Sequence, residues 1–143
     1  MTEGYMKVIG LYGRSNIGKT TTLTMLANEI VKNGLGVITD LTDTNYTLKI
    51  TDGRTVCITT SGDDVETATS NAEYARKQNP DIWFTAMRTR GGSTNLFEFY
   101  ENAVYYSKNA LSIIENLTEE EILDLQSAIN ITDMKALYLS FLD

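Results

Sequence analysis

The hydrophobic pattern of this 143-residue chain predicts an α/β fold: a three-layer α/β/α sandwich on a mostly parallel sheet with one antiparallel hairpin. Three observations predict it. Short apolar runs of strand type alternate with longer stretches of helical period. Asp52-Gly53 stands between two β-rich runs, a strong hairpin signal. The length is that of one domain able to bury a core without disulfides or metals, so residues 1–143 are read as a single unit.

Val8-Ile9-Gly10-Leu11-Tyr12 is the first expected strand, an apolar run stopped by Gly13. A helix is expected from Lys19 to about Asn33, because Leu23, Leu26, Ala27, Ile30 and Val31 share one face; Gly34 stops it. Val37-Ile38-Thr39 reads as a second strand ending at Asp40. Tyr46 to Thr51 and Arg54 to Thr60 flank Asp52-Gly53, with both turn residues expected at positive φ. A helix from Asp64 to about Gln78 puts Val65, Ala68, Ala72 and Ala75 on one face and ends at Asn79-Pro80. Ile82 to Met87 has the unbroken apolar character of a buried strand, with Trp83 and Phe84 in the core. Arg88 to Thr94 reads as a loop opening a helix that runs to about Lys108, and Leu111 to Ile114 as a last strand. Thr118 with Glu121 forms a capping box before a helix. A separate final helix is expected to start at Thr132 or Asp133 and to carry Met134, Leu137, Tyr138 and Phe141.

Composition narrows the chemistry. A formal net charge of -7 repels nucleic-acid phosphates and anionic lipid, so nucleic acid is disfavoured as a partner. The chain has no histidine, which excludes imidazole-based triads and histidine metal sites. Cys57 is the only cysteine and is expected to be a small buried residue. No apolar run approaches the roughly 18–20 residues of a membrane span and no secretory signal is visible, so the expected compartment is the cytoplasm.

The segment Gly13-Arg14-Ser15-Asn16-Ile17-Gly18-Lys19-Thr20 combines five features in order: a strand, a glycine-rich turn, a lysine, a hydroxyl residue and a helix. The glycines let the main chain curl so that successive N–H groups, Thr21 included, point at phosphate oxygens, and the helix adds its positive end. In that geometry Lys19 bridges the β- and γ-phosphates and the Thr20 hydroxyl ligates Mg²⁺.

On those residues the chain resembles the P-loop nucleoside triphosphatase superfamily. Arg14 to Thr22, then Leu26-Ala27, Asn33-Gly34 and Val37 to Asp43, resemble partition-type ATPases, while the overall length is similar to small P-loop kinases. The chain departs from the partition pattern in carrying Arg14, Ser15 and Asn16 where that family has its signature lysine and two glycines, and in lacking its Walker B triplet. The resemblance implies ATP and Mg²⁺ as ligands. No guanine-specificity motif is present, which favours ATP over GTP.

Further candidates follow from where strands end, since ligands bind at the carboxyl edge of such sheets. Asp40 is expected to orient an acceptor hydroxyl or an attacking water, Asp63 to hold magnesium, and Gly62 to offer its N–H to the γ-phosphate, with a helix N-cap as the competing role of Asp63 and Asp64. Arg88 and Arg90 precede Gly91-Gly92 and a helix start, a combination suited to a transferring or acceptor phosphate. The expected function is a small ATP-dependent phosphotransferase or ATPase acting on a hydroxyl or phosphorylated acceptor. The alternatives are a nucleotide-dependent binding module of slow turnover and a partition-like ATPase that forms homodimers.

Overall fold

The computed structural model describes residues 6–13, 17–62, 64–87, 103–111 and 116–142. Its elements run β1 (Lys7–Tyr12), α1 (Lys19–Lys32), β2 (Gly36–Leu41), β3 (Asn45–Ile50), β4 (Thr55–Thr59), α2 (Val65–Gln78), β5 (Ile82–Met87), β6 (Val104–Ser107) and α3 (Glu119–Leu142). The strands form one mixed sheet in the order β2-β3-β4-β5-β1-β6. β4, β5, β1 and β6 pair in parallel, and β3 alone runs against its neighbours, pairing antiparallel with both β2 and β4.

The apolar runs explain the layering. Leu23, Leu26, Ala27 and Ile30 of α1 and Met134, Leu137 and Phe141 of α3 bury against Ile9, Leu11, Ile58 and Phe84 on one sheet face. Ala72 and Ala75 of α2 cover Val8, Cys57, Trp83 and Met87 on the other. Each fully buried Leu, Ile or Phe contributes about 1.5–3 kcal/mol of burial. β5 is buried throughout, as expected of a central parallel strand. Its polar atoms are satisfied in a chain: Trp83 Nε1 donates to Thr59 Oγ1 (2.9 Å), which donates to Thr85 Oγ1 (2.7 Å). Asp64 caps α2 by accepting from Thr67 N, and Asn79 at φ 51° ends it before Pro80. Among the described residues no helix is long and apolar enough to cross a membrane.

Four expectations are corrected. The hairpin turn closes through Gly53 N to Ile50 O (2.9 Å), and only Gly53, at φ 99°, takes positive φ, so the turn is type I with a glycine bulge rather than the two-residue mirror-image turn. A second antiparallel pairing, β2 with β3, joins the expected one. Val104 to Ser107 is a strand beside β1 and not the end of a helix; the rest of that expected helix lies outside the described residues. The strand expected from Leu111 to Ile114 lies, apart from Leu111, outside the described residues. The capping box forms as expected, with Thr118 N to Glu121 Oε1 and Glu121 N to Thr118 Oγ1 both at 3.1 Å. The helix it opens runs unbroken for 24 residues, so no new helix starts at Thr132 or Asp133.

Cys57 is fully buried beneath α2. Burial pushes its thiol up to about 11, with the nearby Asp40 charge adding to the effect and a hydrogen bond from Thr47 opposing it. A pKa raised by folding means that the native state holds the proton more tightly. Its stabilising contribution is full below the unfolded value of 9.0 and is lost as pH climbs from there to about 11. The native thiol is therefore expected to resist a disulfide reagent at about pH 8 and to react once guanidinium unfolds the chain, as thiol release read by absorbance would show.

Candidate functional site

The chain reverses at Gly18, which sits at φ 97° as the N-cap of α1. An L side chain in that left-handed region costs about 1–2 kcal/mol, and a Cβ here would lie 2.5 Å from Asn130 Oδ1. Gly18 offers no side chain to cap the helix, and α1 has no acid in its first turn. The positive end of α1 therefore has neither a capping side chain at Gly18 nor an acid in its own first turn, and Gly18, Lys19, Thr20 and Thr21 line the adjoining pocket.

Lys19 is buried at 5 % exposure and folds back over the segment it follows. Its Nζ donates to Gly13 O and to Met87 O (2.9 Å), and Met87 O also accepts from Gly13 N (3.1 Å). The ammonium thus ties the end of β1 to the end of β5. Charge-assisted bonds of this kind are worth about 1.5–3 kcal/mol each.

A pocket of about 390 Å³ opens at this point, lined by Gly18, Lys19, Thr20 and Thr21 on one side and Thr60, Ser61, Gly62 and Ala86 on the other. Pockets of about 300–1,000 Å³ suit small ligands. The second wall is pinned from three directions. Thr60 Oγ1 donates to Thr44 O (2.7 Å), Asn71 Nδ2 of α2 donates to Ser61 O, and Gly62 stands so close to β5 that a Cβ would fall 2.0 Å from Ala86 O. Thr20 Oγ1 reaches across and donates to Thr60 O at 2.8 Å. The lining thus joins a buried ammonium to two hydroxyls that already give their protons to main-chain carbonyls.

The third wall was not anticipated. Gln126 and Asn130 of α3 also line the pocket, and Gln126 Nε2 donates to Ile17 O at 3.3 Å. One turn further on, Asp133 pairs with Lys108 (2.7 Å), both side chains buried, and accepts from Asn109 N and Nδ2. Lys108 N in turn donates to Tyr12 O (2.8 Å), just before Gly13. The helix therefore braces both ends of the glycine segment. The signal was present in the sequence: Gln126, Asn130 and Asp133 follow the i, i+4, i+7 spacing and lead into the apolar stripe Met134, Leu137 and Phe141.

Of the expected site residues, the structure brings together Gly13, Ile17, Gly18, Lys19, Thr20, Thr21 and Gly62. Asp40 is not brought to them. It sits on the edge strand β2, four strand spacings from β1, about 19 Å at roughly 4.8 Å per spacing. There its Oδ2 accepts from Tyr74 Oη (2.9 Å), which also bonds Thr47 Oγ1 (2.7 Å), so Asp40 is a strut between β2 and α2. Burial above all raises the Tyr74 pKa, so the phenol keeps its proton and the strut its hydrogen bond at ordinary pH. Arg14, Ser15, Asn16, Asp63, Arg88 and Arg90 lie outside the described residues. Among the described residues no group of three or more carboxylates or thiols is placed to hold a metal. No protein-family model, curated protein or solved structure matches the chain.

Proposed function

We propose that the chain binds ATP in this pocket and, with Mg²⁺, acts as a small ATPase or phosphotransferase. The observation that carries the reading is Lys19: a buried ammonium that donates to two main-chain carbonyls and lines the pocket at the N-terminus of α1, whose first turn holds no acid. Polyphosphate entering there exchanges the carbonyl bonds of Nζ for charge-assisted bonds to its own oxygens. Thr20, whose hydroxyl already crosses the pocket, is the residue that would hold Mg²⁺, and the metal would neutralise charge building on the phosphates. The main-chain N–H of Gly62 faces the end of the polyphosphate in this reading. Arg88, Arg90 and Asp63 keep the roles expected from the sequence.

A second reading, a nucleotide-dependent binding module, is favoured by the exposure of Ile122, Leu123 and Leu125 on the helix that walls the pocket. One experiment separates the readings. The chain is incubated with γ-labelled ATP and Mg²⁺, with and without a panel of nucleosides, nucleotides and small metabolites. Label on an acceptor supports the phosphotransferase, free phosphate the ATPase, and binding without turnover the module. Lys19→Ala is expected to abolish every signal. A wild-type chain that retains no ATP, or a Lys19→Ala chain as active as wild type, overturns the reading.

A further inference from the structure

Beside the face that Gln126 and Asn130 turn to the Lys19 pocket, α3 has a second face. Leu125, Ala128, Ile129 and Thr132, with Asn109, line a groove of about 260 Å³ there. Ile122 comes one turn before Leu125, so Ile122, Leu125 and Ile129 form one apolar row at helical spacing that ends at Thr132, about 15 Å along the helix. This row is not core. Among the described residues none of residues 116–129 is buried, and Ile122 is 40 % and Leu125 38 % exposed. Single surface leucines need no explanation, whereas an apolar row along a groove marks a contact surface.

Charge selects what fits it. Besides the buried Asp133, the helix carries exposed Glu119, Glu120, Glu121 and Asp124, and no lysine or arginine before Lys135. Glu121 stands one turn before Leu125 and Asp124 beside it, so carboxylates border the row. A second copy would bring a formal net charge of -7 and the same acids, and an anionic membrane would be repelled in the same way. A partner with a basic border is attracted and held in register.

We propose that this groove receives a basic amphipathic helix of a partner protein, its apolar face on Ile122, Leu125 and Ile129 and its lysines or arginines against Glu121 and Asp124. The proposal supplies the binding-module reading with its partner's chemistry and rests on that reading only for a link to nucleotide. The same turns of α3 present Gln126 and Asn130 to the Lys19 pocket, so a docked helix would hold that wall in place. Docking itself requires no nucleotide.

The test is fluorescence anisotropy of a labelled peptide of about 18 leucine and lysine residues, spaced as an amphipathic helix of about five turns, with a leucine–glutamate peptide of the same spacing as control. Wild type is expected to bind the basic peptide, more weakly at about 0.5 M salt, and not the acidic one. Leu125→Ala should weaken binding about tenfold. Glu121→Gln with Asp124→Asn should weaken it about fivefold and flatten the salt dependence, since glutamine at 121 keeps the capping box. Glu66→Gln with Glu73→Gln removes the same charge from exposed positions of α2 and should change affinity less than about twofold. If Leu125→Ala does not fold, the two charge pairs decide. A folded Leu125→Ala chain that binds like wild type, equal losses from the two charge pairs, or no peptide binding by a wild type that binds ATP overturns the docking surface and leaves the nucleotide reading standing. A wild-type dimer in sedimentation that Leu125→Ala dissociates overturns it in favour of a second copy. Peptide binding by a wild type that retains no ATP upholds the docking surface and overturns the nucleotide reading.

Discussion

Asp133→Ala is expected to lower the stability of the chain by about 3–5 kcal/mol, because it strands the Lys108 ammonium in the interior. Lys108 is 0 % and Asp133 7 % exposed at the side chain, and their 2.7 Å contact pairs the two buried charges. Asn109 loses two acceptors at the same time, one for its N–H and one for its amide. Guanidinium denaturation measures the loss as a lowered midpoint at unchanged slope. Replacing both partners, Lys108→Met with Asp133→Leu, should recover most of it, since a buried ion pair is often no more stable than well-packed apolar groups of its size. The recovery separates a stranded charge from general damage to α3. An Asp133→Ala chain within about 1 kcal/mol of wild type would mean that the pair is solvated in solution.

Gly62→Ala carries the next largest effect, about 3 kcal/mol of destabilisation. The new Cβ would meet Ala86 O at 2.0 Å and Ala86 C at 2.8 Å. Both are main-chain atoms of a strand buried on every side, so no rotamer change relieves the overlap. Relief requires the end of β4 to part from β5, which moves Thr60 O away from Thr20 Oγ1 and widens the pocket. Thermal melting should fall by roughly 10 °C for a domain of this size, with weaker ATP binding by the folded fraction. A Gly62→Ala chain that melts within about 2 °C of wild type would show that the two strands do not approach this closely.

Much of this architecture is legible in the residues themselves. β1, α1 and β5 announce themselves by apolar period, α2 by its Asp64 cap and Asn79-Pro80 stop, and the β3–β4 turn by Asp52-Gly53. What stayed hidden was tertiary. Val104 to Ser107 is four residues long and mostly exposed, and only pairing with β1 makes it a strand. Thr132 and Asp133 look like a helix start because such side chains compete for local main-chain groups. Here Thr132 Oγ1 donates back to Ala128 O and Asp133 is engaged by Lys108 and Asn109, so the helix passes through. Asp40 ends a strand as a site acid should, yet the order of strands is not written in the strands, and the antiparallel β2–β3 pairing carries it to the far edge. The glycine segment was legible because its chemistry is local; the α3 wall was not, because it depends on where a distant helix lands.

The parallel centre of the sheet also sets the order of events when the chain is made. β2, β3 and β4 join through short turns and can pair as soon as they leave the ribosome. β1 precedes them in the chain, but Lys7 pairs with Ile82 and Ile9 with Val104, so it waits, unpaired and apolar, until β5 and β6 have been made. The glycine segment that follows β1 waits with it, and its third wall arrives only with α3. A nascent chain that has not reached α3 thus carries the glycine–lysine segment while the pocket it belongs to has yet to be built.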